Sequence, residues 1–242
     1  MSKKLSTTKK VKHNKKHVHM QDIPLRYFPK TKGNKSRAYK DELIRMIISL
    51  RKTNQNVQYN AQVSIFNIRS ITQKSGFVPS PPEVFRAIED FVYHYENYCY
   101  RAFSFREKYL HFINSVLPVG YPDNQRELIR HLTYNPIIKQ AKLLSVVKRF
   151  DTNNAIQKVL EDRNSLTHRL YYGDTFDHFL RPKDATPLKS KKEAEQKKWF
   201  NNWKEEIEKR ANMTNNFMRA ISKMDHNTAS KIMGYKDSMR RK

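Results

Sequence analysis

Apolar residues recur three and four positions apart along most of the chain, which is the spacing of a helix with one buried face. The longest run begins at Ser80-Pro81-Pro82-Glu83, where a capping Ser, proline in the first turn and a capping-box Glu follow in order. It ends at Pro118, so the pattern predicts a helix of about 35 residues with a continuous packing seam. The seam consists of Val84, Ile88, Phe91, Tyr95, Tyr98, Ala102, Phe105, Tyr109, Phe112 and Val116.

Two segments precede this helix. Ser36 to Thr53 is predicted to be a helix capped by Ser36, with an apolar side made of Leu43, Ile44, Ile47, Ile48 and Leu50. Residues 57–73 fit a strand by the alternation of Tyr59, Ala61, Val63 and Ile65, and a helix by the spacing of Ile65, Ile68 and Ile71. Because the rest of the chain is helical, we expect a helix here.

Three more helices are predicted before Gly173. Asp123 opens one that ends near Tyr134, and Asn135-Pro136 caps a second that continues to Arg149. The third runs from Asp151, as N-cap, to Tyr172, and Gly173 suits the left-handed turn that stops a helix. Its core-facing residues are Ile156, Val159, Leu160, Leu166 and Leu170.

Residues 190–233 return to helix-forming composition, with an apolar face formed by Trp199, Phe200, Trp203, Ile207, Phe217, Ile221 and Met224. Such a face packs on the body of the protein, on a partner chain or on nucleic acid. The pair Trp199 and Trp203, one turn apart, is interpreted as a packing anchor in preference to a base-stacking site.

These elements predict an all-α protein. Hydrophobic residues make up 38% of the chain and aromatic residues 12%, which is enough for a core. We expect a disordered basic arm over residues 1–35, a helical bundle over 36–182 and a basic helical extension over 183–242.

The net charge of +25 is concentrated in the ends of the chain. Residues 1–35 carry 11 Lys and Arg against 1 acidic residue, and residues 183–242 carry 16 against 8, whereas the longer middle carries 21 against 14. Basic arms flanking a compact body bind polyanions, so nucleic acid is the first expected partner and an anionic membrane surface the second.

Cys99 is the single cysteine, which excludes a disulfide framework and a cysteine-rich zinc site, and its position near the seam predicts a buried thiol. The sequence shows no membrane span and no secretory signal, so a cytoplasmic protein is expected. No metal or other cofactor is expected.

The candidate chemistry lies on the predicted helix that ends at Tyr172. Arg163 falls within its apolar stripe, where a guanidinium needs a partner, a wet cleft or an anionic ligand. Glu96 and Glu107 are the candidate carboxylate partners. Asn164 and His168 lie one turn apart on a neighbouring face, so Arg, Asn and His converge on one edge.

Three stretches have an Arg five positions before a His: Arg106 to His111, Arg126 to His131, and Arg163 to His168. Only the third, RNSLTH, has a polar uncharged residue after the Arg and lies late in the predicted bundle. This stretch, together with the long helix centred on HYENYCYRAFSFREKYLHFI, resembles the HEPN superfamily of metal-independent RNases. The resemblance covers residues 80–182.

The resemblance implies an endoribonuclease in which the ribose 2′-hydroxyl attacks the adjacent phosphate. Arg163, Asn164 and His168 would be the catalytic residues, and two protomers would join their motifs in a composite cleft of a homodimer. HEPN relatives often serve as toxins or phage-defence effectors, so an antitoxin or a defence complex is a further expected partner.

Basic and aromatic residues near the motif are the candidate RNA-binding side chains: Arg169, Tyr171, Tyr172, Lys191, Lys192, Lys197 and Lys198. Two alternatives stay open. The chain could be a non-catalytic RNA- or ribosome-binding protein, or a module whose Trp199–Trp203 helix docks on a partner.

Overall fold

The structure, a computed structural model, describes residues 34–73, 82–122, 127–172 and 192–241, with only the backbone described at 34–36 and 167–172. Within these ranges the chain forms seven helices and no strand, which confirms the predicted all-α class. They are α1 (Asn34–Thr72), α2 (Pro82–Val116), α3 (Leu128–Tyr134), α4 (Pro136–Gln140), α5 (Leu144–Thr152), α6 (Asn154–Tyr172) and α7 (Glu193–Arg240).

Four long helices form the body of the protein. Helix α1 packs against α2 and α7, and α6 packs against the same two helices, so α1 and α6 occupy opposite corners. The short helices α3, α4 and α5 cover one end and contact α2, α6 and α7. All four long helices contribute to one hydrophobic core. No described helix combines the length and the apolar composition that crossing a bilayer requires.

The seam predicted for α2 is confirmed, because all ten of its residues are buried. Its three tyrosines each bring a hydroxyl into the interior, and each hydroxyl has a partner. Tyr98 donates to the carbonyl of Thr214 at 3.2 Å, Tyr109 shares a 2.5 Å hydrogen bond with Thr228, and Tyr95 donates to Asp162. Burial raises the pKa of all three hydroxyls above the usual value of a tyrosine. The seam is therefore packing, and it also anchors α7 and α6.

The ambiguous stretch 57–73 is helical and continues α1 without a break. Its inward positions recur three and four apart, with Val57, Ala61, Ile68 and Ile71 buried. Ser64 lies among them and donates a 2.6 Å hydrogen bond to the carbonyl of Ala87 in α2. The residues that suggested a strand are split between faces, because Tyr59 points outward while Ala61 points into the core.

The helix predicted from Asn135 to Arg149 is wrong in its length. Asn135 does cap a helix, since its Oδ1 accepts from the Ile137 amide at 2.9 Å. That helix, α4, ends at Gln140, and α5 begins at Leu144. Lys142 between them adopts φ of 57°, the left-handed conformation that terminates helices. The amide of Leu143 then bonds the Ile138 carbonyl at 2.9 Å, which closes the turn.

The predicted N-cap of the motif helix is also wrong. Asp151 lies in the last turn of α5, 3.6 Å from Arg106, and α6 begins at Asn154. Asn153 caps α6, because its Oδ1 accepts from the amides of Ala155 and Ile156 at 3.1 and 3.2 Å. The described part of α6 continues to Tyr172, and the predicted end of the helix at that residue stays a prediction.

Helix α7 packs on the body, and six of the seven apolar residues predicted for its face are buried; the seventh, Trp199, is partly buried. Trp199 contacts Trp203 edge to face at 5.5 Å between ring centroids, and Phe85 of α2 lies 6.2 Å from Trp199. The interpretation of this pair as a packing anchor is confirmed.

Several predictions lie outside the described residues. These are the basic arm up to residue 33, the start of α3 at 123–126 and the whole stretch 173–191. The predicted boundary between a bundle ending at 182 and an extension starting at 183 therefore stays a prediction. The core residues of α7 nevertheless belong to the same hydrophobic cluster as those of α1, α2 and α6.

Candidate active site

Helix α6 presents three consecutive polar residues, Asp162, Arg163 and Asn164, in three directions. Because successive residues are rotated by about 100°, one of them faces inward, one faces α2 and one faces outward. Asp162 contacts the interior, Arg163 lies over a ring of α2, and Asn164 is exposed. The rotation of α6 about its axis therefore determines where Arg163 points.

Arg163 is partly buried at the seam between α2 and α6. Its Cζ lies 4.1 Å from the centroid of the Phe103 ring, which is within cation–π range. Its Nη1 donates to Oδ1 of the neighbouring Asn164 at 3.1 Å. An aromatic face holds the flat guanidinium from one side, and the side chain keeps its positive charge there.

A polar cluster, partly buried, lies on the inward face of α6. Asp162 accepts a hydrogen bond from the Tyr95 hydroxyl, and its Oδ2 lies 3.6 Å from Nη1 of Arg210 in α7. The same Nη1 is 2.5 Å from Oε1 of Glu206, and the guanidinium lies 5.6 Å from the Tyr95 ring centroid. The Arg210 side chain is only 9% exposed. We refer to Tyr95, Asp162, Glu206 and Arg210 as the inner cluster.

The inner cluster ties three helices together, since Tyr95 is on α2, Asp162 on α6 and Arg210 on α7. Two carboxylates around one guanidinium, with a hydroxyl donor, satisfy a charge that would be costly to bury alone. With Asp162 held this way, α6 has a defined rotation, and Arg163 is carried to the seam beside Phe103. The inner cluster therefore positions the part of α6 that carries Arg163.

The inner cluster was not predicted from the sequence. The only local signal is that Arg210 falls among apolar residues spaced three and four apart, between Ile207 and Phe217, where a charge must find a partner. Glu206 is one turn earlier and so is a foreseeable neighbour. Asp162 lies 48 positions away along the chain, and nothing in the sequence pairs it with Arg210.

The two proposed carboxylate partners of Arg163 have different surroundings. Glu107 Oε1 lies 2.6 Å from Nη1 of Arg106, and Arg106 also approaches Asp151 at 3.6 Å. This ion pair occupies Glu107 in the structure. Glu96 is partly buried on α2, and its pairing with Arg163 stays a prediction.

The other two Arg-to-His stretches differ from the third in their local contacts. Arg106 belongs to the ion pairs just described, and His111 stacks on Tyr39 with ring centroids 5.9 Å apart. His131 stacks on Tyr121 at 4.1 Å, and Arg126 lies outside the described residues. The ring contacts hold α1 to α2 and α3 to the loop after α2, so Arg106, His111 and His131 each have a structural explanation.

The remaining predicted site residues are described only in part. His168, Arg169, Tyr171 and Tyr172 lie on the last turns of α6, where the backbone alone is described, and Lys191 lies outside the described residues. Lys192 and Lys198 are exposed at the start of α7. Lys197 bonds Glu193 at 2.6 Å, one turn away. Their role in RNA binding stays a prediction.

Cys99 is fully buried beside the inner cluster, and burial raises the pKa of its thiol well above the usual value. A protonated, inaccessible thiol is a poor nucleophile. We expect Cys99 to react with Ellman's reagent at least about a thousandfold faster in denaturant than in the native protein, because labelling requires global opening. Glutathione in each buffer corrects for the reagent. Rapid labelling of the native protein would contradict the packing of α2 against α6.

The fold and the site define a class: an all-helical bundle in which a late helix carries an arginine, held at a seam, five positions before a histidine. The sequence model of the Cthe2314-like HEPN family matches residues 43–235, which is most of the chain, so the chain belongs to this HEPN family. Neither the curated proteins nor the solved structures gave a match. The matched span includes α7 up to Tyr235.

Proposed function

We propose that the protein is a metal-independent endoribonuclease whose catalytic residues are Arg163, Asn164 and His168. The observation that carries the proposal is the position of Arg163, which lies partly exposed over Phe103 at the α2–α6 seam instead of in the dry core. Membership of the HEPN family, which includes RNases, supports the same reading. The net charge of +25 suits an RNA substrate.

The proposed reaction is an internal transesterification. The ribose 2′-oxygen forms a bond to the adjacent phosphorus, and the bond from phosphorus to the 5′-oxygen breaks, leaving a 2′,3′-cyclic phosphate and a 5′-hydroxyl. His168 takes the proton of the 2′-hydroxyl or gives one to the departing 5′-oxygen, since imidazole titrates near neutral pH. Arg163 donates two hydrogen bonds to the phosphoryl oxygens as their negative charge grows. Asn164, already bonded to Arg163, keeps the guanidinium oriented.

We further propose that two copies of the chain join their motifs in a homodimer. The seam beside Phe103 would then face its symmetry mate and form one cleft with two Arg163 and two His168 side chains. An RNase of this kind needs restraint in the cell, so an antitoxin or a defence complex is the proposed partner, and a toxin or phage-defence effector the proposed role.

Incubation of the purified full-length protein with single-stranded RNA in EDTA tests the proposal. We expect RNA fragments to appear with chelator present, because the reaction uses only side chains of the protein. RNA binding without any cleavage, with and without added Mg²⁺, would favour the alternative of a non-catalytic RNA-binding protein. Cleavage that requires a divalent ion would leave a nuclease but contradict this mechanism.

A further inference from the structure

Helix α1 has an outward face that does not contribute to the core. Its exposed residues recur three and four positions apart along about 36 Å of helix. We call them the α1 outer stripe: Arg45, Ile48, Lys52, Gln55, Tyr59, Gln62, Phe66 and Arg69. Three of them are large apolar side chains with high exposure, namely Ile48 at 60%, Tyr59 at 65% and Phe66 at 69%. These three side chains lie on one face of the helix, and aligned exposed apolar side chains are a feature of binding surfaces.

The charged residues of the α1 outer stripe are all basic, although exposed Asp41 lies one turn before Arg45 on the same side of the helix. From Leu43 to Thr72, helix α1 contains Arg45, Arg51, Lys52 and Arg69 and no Asp or Glu. The remaining polar residues of the outer stripe are the amides Gln55 and Gln62. Basic groups for phosphates, exposed rings for base stacking and amides for base edges are the components of a single-stranded nucleic-acid surface.

A groove beside the outer stripe adds to the positive surface. It lies between α1 and α7, has a volume of about 500 Å³, and is lined by Arg51 and Arg219 together with Asn54 and Asn215. The amides of Asn54 and Asn215 are joined by a 2.9 Å hydrogen bond. Two carboxylates of α7 approach this region: Asp225 lines the groove, and Glu208 lies 3.9 Å from Arg69. The basic groups of the stripe that lie clear of these two carboxylates are Arg45 and Lys52, which makes them the candidate phosphate contacts.

We propose that the α1 outer stripe binds single-stranded RNA, with bases stacked on Tyr59 and Phe66 and phosphates held by Arg45 and Lys52. The inference rests on the proposed function in that RNA is the ligand. It extends that function by assigning a second RNA-contacting surface, separate from the motif. Since α1 and α6 occupy opposite corners of the bundle, the stripe contacts RNA away from the scissile phosphate.

A second copy of the chain fits this face less well than RNA does. In an antiparallel pairing about its midpoint, Val57, Arg45 of one copy would meet Arg69 of the other, because both lie equally far from that midpoint. In a parallel pairing, Arg45 and Lys52 would each face themselves. Both arrangements place like charges together in a two-fold interface, with no carboxylate of the stripe to neutralise them.

The test measures binding of a fluorescein-labelled, single-stranded 2′-O-methyl oligoribonucleotide to the full-length protein. The methyl group blocks the 2′-oxygen, so binding is measured without cleavage. We expect Tyr59→Ala combined with Phe66→Ala to weaken binding at least about tenfold through loss of stacking. Arg45→Gln combined with Lys52→Gln should lower the steepness of log K against log salt concentration by about 1.4, as two lost phosphate contacts require.

Matched control variants distinguish binding at the stripe from non-specific RNA binding by any exposed ring or basic group. Tyr134→Ala removes a ring that is 71% exposed at the end of α3, and Lys148→Gln removes an exposed charge of α5. Both should bind the probe as wild type does. Affinity of the stripe variants within twofold of wild type, or no binding by the wild type at low salt, would overturn the proposal. Conversion of a dimer into a monomer by the Tyr59→Ala/Phe66→Ala change would overturn it in favour of an interface between copies.

Failure of this inference is distinguishable from failure of the proposed nuclease. If a stripe variant binds the probe normally and cleaves unmodified RNA, the proposed RNA binding by the stripe is wrong and the proposed nuclease stands. If binding depends on the stripe but the protein cleaves no RNA, the proposed RNA binding by the stripe stands and the proposed nuclease is wrong. If both proposals hold, the stripe variants should raise KM for RNA at least several-fold, while kcat stays near that of wild type.

Discussion

Arg163→Ala is expected to lower kcat/KM for RNA cleavage about 10²- to 10³-fold, the range seen when one donor to a developing oxyanion is removed. The guanidinium lies over Phe103 at the α2–α6 seam, and under the proposed mechanism its removal takes away stabilisation of the charged phosphoryl group. His168→Ala should lower kcat about 10²- to 10⁴-fold through loss of acid–base catalysis. Single-turnover cleavage of a labelled RNA with enzyme in excess measures both.

Three controls make the result specific to the site. Arg163→Lys keeps the charge but loses the two-donor geometry, so we expect activity between those of wild type and Arg163→Ala. Arg130→Ala removes an exposed arginine of α3 and should leave cleavage unchanged. Thermal melting checks the fold, because the contact with Phe103 contributes about 1 kcal/mol to stability. Wild-type activity in a folded Arg163→Ala protein would show that the motif is not catalytic.

Asp162→Ala is expected to lower the free energy of unfolding by about 2–4 kcal/mol. Breaking a buried ion pair typically costs about 3–5 kcal/mol, and Glu206 remains beside Arg210 to reduce the loss. The Tyr95 hydroxyl would also lose its acceptor inside the core. At about 2–4 °C per kcal/mol for a protein of this size, the melting temperature should fall by about 5 °C or more.

The neighbouring residue Glu161 provides the matched control for Asp162. It is an exposed carboxylate on the same helix, so Glu161→Ala should change stability by less than about 0.5 kcal/mol. Tyr95→Phe removes only the hydroxyl and should cost about 1 kcal/mol. Urea unfolding followed by circular dichroism measures all three variants. Equal stabilities of Asp162→Ala and Glu161→Ala would contradict the inner cluster as the tie between α2, α6 and α7.

The helices that could be predicted from the sequence are those with an uninterrupted period. The α2 seam alternates by three and four over its whole length, and local cap residues define its start. In α1 the same period is partly hidden, because exposed Tyr59 alternates with Ala61, Val63 and Ile65 as residues of a strand do. Aromatic residues that point outward mislead a prediction that assumes apolar residues are buried.

The break between α4 and α5 and the true start of α6 could not be predicted for a different reason. Neither Gly nor Pro marks the break, and Lys142 takes the left-handed conformation although its side chain disfavours it. At the start of α6, Asp151 and Asn153 are both good caps, and local sequence does not choose between them. The choice is a tertiary one, because Asp151 approaches Arg106 of α2.

The motif of the candidate site could be proposed from the sequence, but the residues that hold the motif helix in place could not. Arg163 stood out as an arginine within an apolar stripe, where a charged group needs a partner, a wet cleft or an anionic ligand. Its position at a seam between two helices agrees with that expectation. Its neighbour Asp162 contacts a tyrosine 67 positions earlier and an arginine 48 positions later. Contacts at such separations depend on how helices pack, which periodicity within a single helix does not report.

Replacing one ribose of an RNA substrate with deoxyribose tests the central claim most directly. The account predicts that cleavage at the linkage after that ribose is lost while cleavage at other linkages continues in EDTA. At each cleaved linkage the upstream fragment should end in a 2′,3′-cyclic phosphate and the downstream fragment should begin with a 5′-hydroxyl. Cleavage at the deoxyribose linkage, or products ending in a 3′-hydroxyl and a 5′-phosphate, would contradict attack by the 2′-hydroxyl and with it the assigned roles of Arg163 and His168.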